Sequence, residues 1–308
     1  MRQLFANRAF VTLFFATFAS QLGTTIGNMA FAFYMLYRFA AKPAYATLAE
    51  MMYALPTLAV FLLVGVAADR FDRKRIAENT GWIRLGLTGL LIGALLMDWI
   101  GIVFGLLFIR SAVGKFYMPA EQAMLQGILE KDQYVQASGL NQMIMGIFML
   151  FGVALGAVTY NGLGIVGAVA VDGCGFLLSA LLIRFTRISH EVRLPNGRSS
   201  VRDLRSGMMV TDFKEGLKYI FGHKLLMVLL AGYVLFGFLN GGFAVLPMFT
   251  MKYKLAPDAY ETFSSLFAVF LGLGILAGSM VTNKLLQKFK SYQLLISGIL
   301  LTAYSFNA

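Results

Sequence analysis

Apolar residues in this chain come in long blocks. Runs from Phe10 to Tyr37, Tyr45 to Ala68, Ile76 to Met97 and Ile100 to Leu125 are separated by short polar breaks. Each approaches or exceeds the roughly 20 residues a helix needs to cross hydrocarbon. Similar runs cover Ala137–Tyr160, Ile165–Ile183, Leu225–Thr250 and Phe263–Val281, and a last one begins at Tyr292. A spanning barrel would instead show alternating segments of about 10 residues. The pattern predicts an all-α polytopic membrane protein of eight spans, with a ninth in which the sequence stops at Ala308.

Composition supports this reading. The 308 residues are 58% hydrophobic and 13% charged, which excludes a soluble globular class. Arg2 and Arg8 precede the first run, but its length exceeds the roughly 7–15 residues of a signal-peptide core. It reads as an uncleaved span with a cytoplasmic amino terminus.

The net charge of +11 follows the loops. The spans above put 21 of the 26 Lys and Arg in the cytoplasm and four outside (Arg38, Lys42, Lys252, Lys254). One, Arg110, falls within a span. This asymmetry orients a polytopic chain in the inner (plasma) membrane and requires no nucleic-acid partner. The lone Cys174 sits in an apolar run, and His190 and His223 are far apart, so no metal site or cofactor is expected.

The charged hinge between the second and third runs reads Gly65-Val-Ala-Ala-Asp69-Arg70-Phe-Asp72-Arg73-Lys74-Arg75. Charge alone allows an ordinary positive-inside loop. The order of residues resembles the loop between spans two and three in the major facilitator superfamily. Asp72, where many members carry Gly, makes it similar to the branch of macrolide-efflux proteins and the enterobactin exporter. The resemblance implies that Gly65, Asp69, Arg70, Asp72, Arg73 and Lys74 form a gating loop. In the family, Asp69 meets cations and a helix amino terminus there. It further implies two six-helix halves. The expected domains are a complete amino-terminal bundle over 1–184, a basic linker with an amphipathic helix over 185–224, and a partial carboxyl-terminal bundle over 225–308. Gly278 to Lys284 echoes the first hinge, with Thr282 in place of the acid. Facilitators of this type have roughly twelve spans, so the chain reads as a fragment that transports poorly alone, or else as a nine-span protein.

Several span residues are candidates for the substrate or proton pathway. Arg110 lies mid-span, where insertion costs about 2.5–3.5 kcal/mol unless a cavity or partner receives it. With Gly114 it resembles a facilitator motif linked to proton transfer, although Val113 stands in place of the usual Gln. Asp172 is the acid deep in a span, about 10 Å from its outer end at 1.5 Å per residue. It either exchanges a proton during transport or hydrogen-bonds across a helix contact. Gln21, Thr25 and Asn28 share one helix face that either lines a route or bonds a neighbouring helix. Asn240, beside Gly241 and Gly242, would loosen span seven. Glu121 is expected to be structural. Met143, Met145 and Met149 are packing or lipid-facing residues by default. The Gly152-x-x-x-Gly156 pair predicts close helix packing. Gly162-x-Gly164-x-x-Gly167 matches a dinucleotide fingerprint but lacks the strand that motif requires.

The resemblance implies a proton-coupled exporter of small amphiphilic molecules, drug or siderophore-like. A decayed, non-transporting product is the alternative. A membrane-embedded enzyme is disfavoured because the sequence offers no catalytic cluster.

Overall fold

The computed structural model describes residues 2–39, 44–194 and 218–256, with 214 and scattered positions between 259 and 298. Every regular element among them is helical. A short α1 (Arg2–Ala6) leads into α2 (Arg8–Arg38), whose amino end Asn7 caps by accepting from Ala9 N and Phe10 N. Next come α3 (Ala44–Arg70), α4 (Arg73–Leu96), α5 (Ile100–Gly114) and α6 (Tyr117–Ile128). The last two are separated by Lys115 and Phe116 alone. Then follow α7 (Lys131–Phe185), the four-residue α8 (His190–Arg193) and α9 (Lys224–Thr250).

At about 1.5 Å per residue, the 55 residues of α7 would extend about 82 Å, far beyond one bilayer. It is broken at Gly164, whose φ of 65° and ψ of −174° favour a residue without a Cβ. The glycine cluster that mimics a nucleotide motif is therefore a turn between two helical arms. Among the described residues, four stretches are long and apolar enough to cross a membrane, 8–35, 73–96, 100–128 and 150–185, the last of them containing the break at Gly164. Pro56 lies within α3.

The chain divides into two compact units, 1–139 with 152–245, and 140–151 with 246–308. Within the first, α5 packs against α3 and α4, and α6 packs against α4. Helix α2 meets both arms of α7 through small residues. A methyl on Gly152 would lie 2.5 Å from Thr25 Cγ2, and one on Gly156 would meet Met29 and Ala30 N. On the other arm, a methyl on Gly175 would lie 2.6 Å from Ala19 O. The Gly-x-x-x-Gly pair thus permits the close approach its spacing predicts. An apolar core of Phe31, Met35, Leu91, Leu95, Val103 and Leu107 closes one end of this unit. Outward-facing Leu58, Leu90 and Val158 are 72%, 62% and 72% exposed, as expected of surfaces solvated by lipid. Met143 and Met145 are exposed in the second unit, while the Met149 side chain lies outside the described residues.

The hinge is built around Asp72. Its carboxylate caps α4 by accepting from Lys74 N and Arg75 N, at 3.0 and 3.1 Å. It also pairs with Arg193 of α8, whose Nε donates to Oδ1 at 3.2 Å and whose Nη2 donates to Oδ2. Two flanking cations donate to backbone carbonyls, Arg73 to Val192 O and Lys74 to Arg184 O. A methyl on Gly127 would lie 2.5 Å from Val192 Cγ1, so α6 also sits close against α8. Asp72 thus makes helix-capping and cation contacts of its own. Gly65, Asp69 and Arg70 lie in α3, and their surroundings fall outside the described residues. Residues 218–222 of the predicted amphipathic segment are helical, while 195–213 lie outside the description.

Candidate functional site

Small residues also create the burial of Asp172. A methyl on Gly23 would meet its Cα at 3.1 Å, and one on Gly27 would meet its Oδ2 at 3.0 Å. Helix α2 therefore lies directly over the carboxylate, whose residue exposure is 0%. No water reaches it there, and its charge is matched from inside the bundle. Arg110 Nη1 donates to Asp172 Oδ2 at 2.6 Å, and Thr24 Oγ1 donates to Oδ1 at 3.3 Å. Arg110 also donates to Thr88 Oγ1 at 3.4 Å.

A second arginine belongs to this cluster. Arg84 lies midway along α4, inside the bundle, and corrects the allocation that placed it among the cytoplasmic cations. Its Nη2 donates to Thr24 Oγ1 at 3.1 Å, and its Cζ stands 3.7 Å from the centre of the Phe176 ring. A methyl on Gly114 would come within 3.4 Å of Cζ and Nε, so the glycine leaves space for the guanidinium. The sequence signal for Arg84 is the one that marks Arg110: a cation flanked by apolar residues. The charged start of α4 masks it.

These groups border a cavity of about 270 Å³ between α2, α3, α4, α5 and α6. Gln21 and Asn28 line it, together with Ser20 and Thr24. Thr25 plays another part: its hydroxyl donates to Gln21 O at 2.8 Å, and its methyl meets Gly152. Tyr53, Ser111, Lys115, Tyr117 and Met118 complete the wall with Arg84, Arg110 and Gly114. Below it lies a polar cluster in which Thr17 Oγ1 donates to Glu121 Oε1 at 3.2 Å and meets Tyr117 Oη at 3.0 Å. Ser179 Oγ donates to the same phenol at 3.5 Å. Asn240 lies in α9, and its side chain is outside the described residues. No group of three or more metal-ligating side chains occurs among the described residues.

The Major Facilitator Superfamily profile matches residues 13–306. The chain belongs to this superfamily. It is 54% identical over 303 residues to the uncharacterized MFS-type transporter YkuC of Bacillus subtilis (strain 168), covering 97% of this chain and 70% of that protein. It is 25% identical over 300 residues to macrolide efflux protein A of Streptococcus pyogenes, covering 96% of this chain and 70% of that protein. The protein of that name in Enterococcus faecalis is 26% identical over 246 residues, 79% of this chain and 71% of the relative. No solved structure matches the chain. Membership of this superfamily makes the chain a membrane protein of a transporter family and turns the reading away from an enzyme.

Proposed function

We propose that this facilitator is a secondary active exporter that moves small amphiphilic molecules by alternating access, coupled to protons. The observation that carries this reading is the Arg110–Asp172 pair. It is an ion pair inside the bundle, and one of its members also lines a cavity. Such a pair is expensive to bury, which favours a functional reason for keeping it. Opening the bundle to water would weaken the attraction between the charges. Efflux-related relatives support the outward direction.

In this reading Asp172 exchanges the proton, Arg110 engages and releases its carboxylate, and Gln21, Thr25, Asn28, Gly114 and Asn240 belong to the pathway. The hinge, with Asp72, Arg73 and Lys74, acts as the gating contact, and Gly65, Asp69 and Arg70 are assigned with it from the family pattern. The amino terminus is cytoplasmic, the bundles divide near 184 and 225, and the membrane is the plasma membrane. The test is efflux of an amphiphilic fluorescent dye from cells expressing the chain, before and after a protonophore collapses the gradient. Dye retention after collapse supports coupling, and unchanged efflux refutes it.

A further inference from the structure

The cavity wall carries an imbalance of charge. Arg84, Arg110 and Lys115 line it, and no carboxylate does so among the described residues. Asp172 stands behind the wall and is engaged by Arg110 at 2.6 Å. The other carboxyls of the region, Glu50 and Glu121, do not line the cavity. Asp172 attracts Arg84 as well, so one acid answers three cations at this space. Arg84 is held by a hydroxyl and an aromatic ring, neither of which neutralises it.

The orientation of Arg84 makes the demand specific. One guanidinium nitrogen, Nη2, is used on Thr24, while Nε is buried and has no hydrogen-bond partner among the described residues. A guanidinium offers its N–H groups in a planar fork that matches two oxygens of a carboxylate. Nearby, Asn28 Oδ1 is also buried without a partner among the described residues and lines the same cavity, while the Tyr53 hydroxyl sits against the Arg110 guanidinium. Arg84 Nε thus calls for an acceptor, and Asn28 Oδ1 for a donor. An anion carrying one neighbouring N–H or O–H satisfies all of these groups.

We infer that this cavity is an anion-binding site, receiving the carboxylate end of a small organic acid at Arg84 and Lys115. The volume of about 270 Å³ lies just below the roughly 300–1,000 Å³ of typical ligand sites, so it accommodates a headgroup and the first part of a tail. The inference deepens the exporter reading by naming the substrate class as anionic amphiphiles. A cationic drug would meet like charges here, at a cost that rises as water is excluded.

The test is equilibrium binding to the full purified chain in detergent, which does not depend on transport. The probes are hexanoate, hexanamide and hexylammonium, which share one tail and differ in charge, with inorganic phosphate as a fourth. Hexanoate should bind at least about tenfold more tightly than hexanamide, as judged by thermal stabilisation and titration calorimetry. Arg84→Gln should abolish that preference, and Arg84→Lys, which keeps the charge but loses the fork, should retain part of it. Tighter binding of hexylammonium or hexanamide would overturn the inference. So would a preference for phosphate, or a hexanoate preference that survives in Arg84→Gln. Loss of dye efflux with hexanoate binding intact would strike the exporter reading alone.

Discussion

Arg110 Nη1 lies 2.6 Å from Asp172 Oδ2, and the two side chains are 5% and 0% exposed. Each is therefore the other's principal source of neutrality. Removing one partner from a buried pair costs about 3–5 kcal/mol, because the survivor stays charged in a poorly solvating place. Asp172→Asn should lower the thermal midpoint in detergent sharply, and Arg110→Gln should do the same. The double variant should recover part of the loss, since neither charge then remains. Strictly additive losses in that cycle would show that the pair is uncoupled.

Asp72 gives a pH dependence with a definite sign. Partial burial pushes its carboxyl up, but Arg193 and the α4 amides of Arg75 and Lys74 outweigh that and hold it below its ordinary value. A lowered carboxyl contributes stability above its unfolded pKa of about 3.9 and loses it as pH falls through the lower folded value. Docking of α8 on the hinge should therefore be constant from pH 7 to about pH 5, begin to weaken near pH 4 and be lost only as pH passes the lower folded value. Hydrogen exchange of amides 190–194, corrected for intrinsic rates, reads it directly. Asp72→Asn should expose those amides at every pH, and protection unchanged by the substitution would count against the contact.

Much of the fold is legible in the sequence because bilayer thickness dictates run length, and run length places the helices. The third and seventh apolar runs begin within a few residues of α4 and α9. Asp172 and Arg110 stand out for a related reason, since a charge inside an apolar run demands a partner. Which partner is not written locally. Their contact spans 62 positions and depends on Gly23 and Gly27 bringing α2 over the carboxylate. Thr24 takes the polar role instead of Thr25 because the close approach of Gly152 turns Thr25 into a packing residue. Arg84 escapes because charge counting by loop assigns it to the basic hinge just upstream.

Gly156 offers a packing test. A methyl there would meet the Met29 side chain and stand 3.2 Å from Ala30 N, which cannot rotate away. Gly156→Ala should force α2 and α7 apart, costing on the order of 1–3 kcal/mol. Gly162 faces open space, so Gly162→Ala should leave the thermal midpoint nearly unchanged. Equal shifts for the two variants would mean that the contact does not limit helix approach.

Glu121 separates polarity from volume. The residue is 1% exposed, and its Oε1 accepts from Thr17, while Oε2 is buried without a partner among the described residues. An unpartnered buried oxygen costs about 1–3 kcal/mol, and an apolar group of similar shape removes that cost. Thr17 keeps a partner in such a variant, because Tyr117 Oη lies 3.0 Å away. Glu121→Met should therefore hold or raise the thermal midpoint, while Glu121→Ala should lower it, with about 2–5 kcal/mol of stability lost through the cavity it opens. A fall in Glu121→Met as large as that in Glu121→Ala would show that both oxygens are engaged. A stable Glu121→Met chain that no longer exports dye would move this carboxyl from the packing of the bundle into the transport cycle.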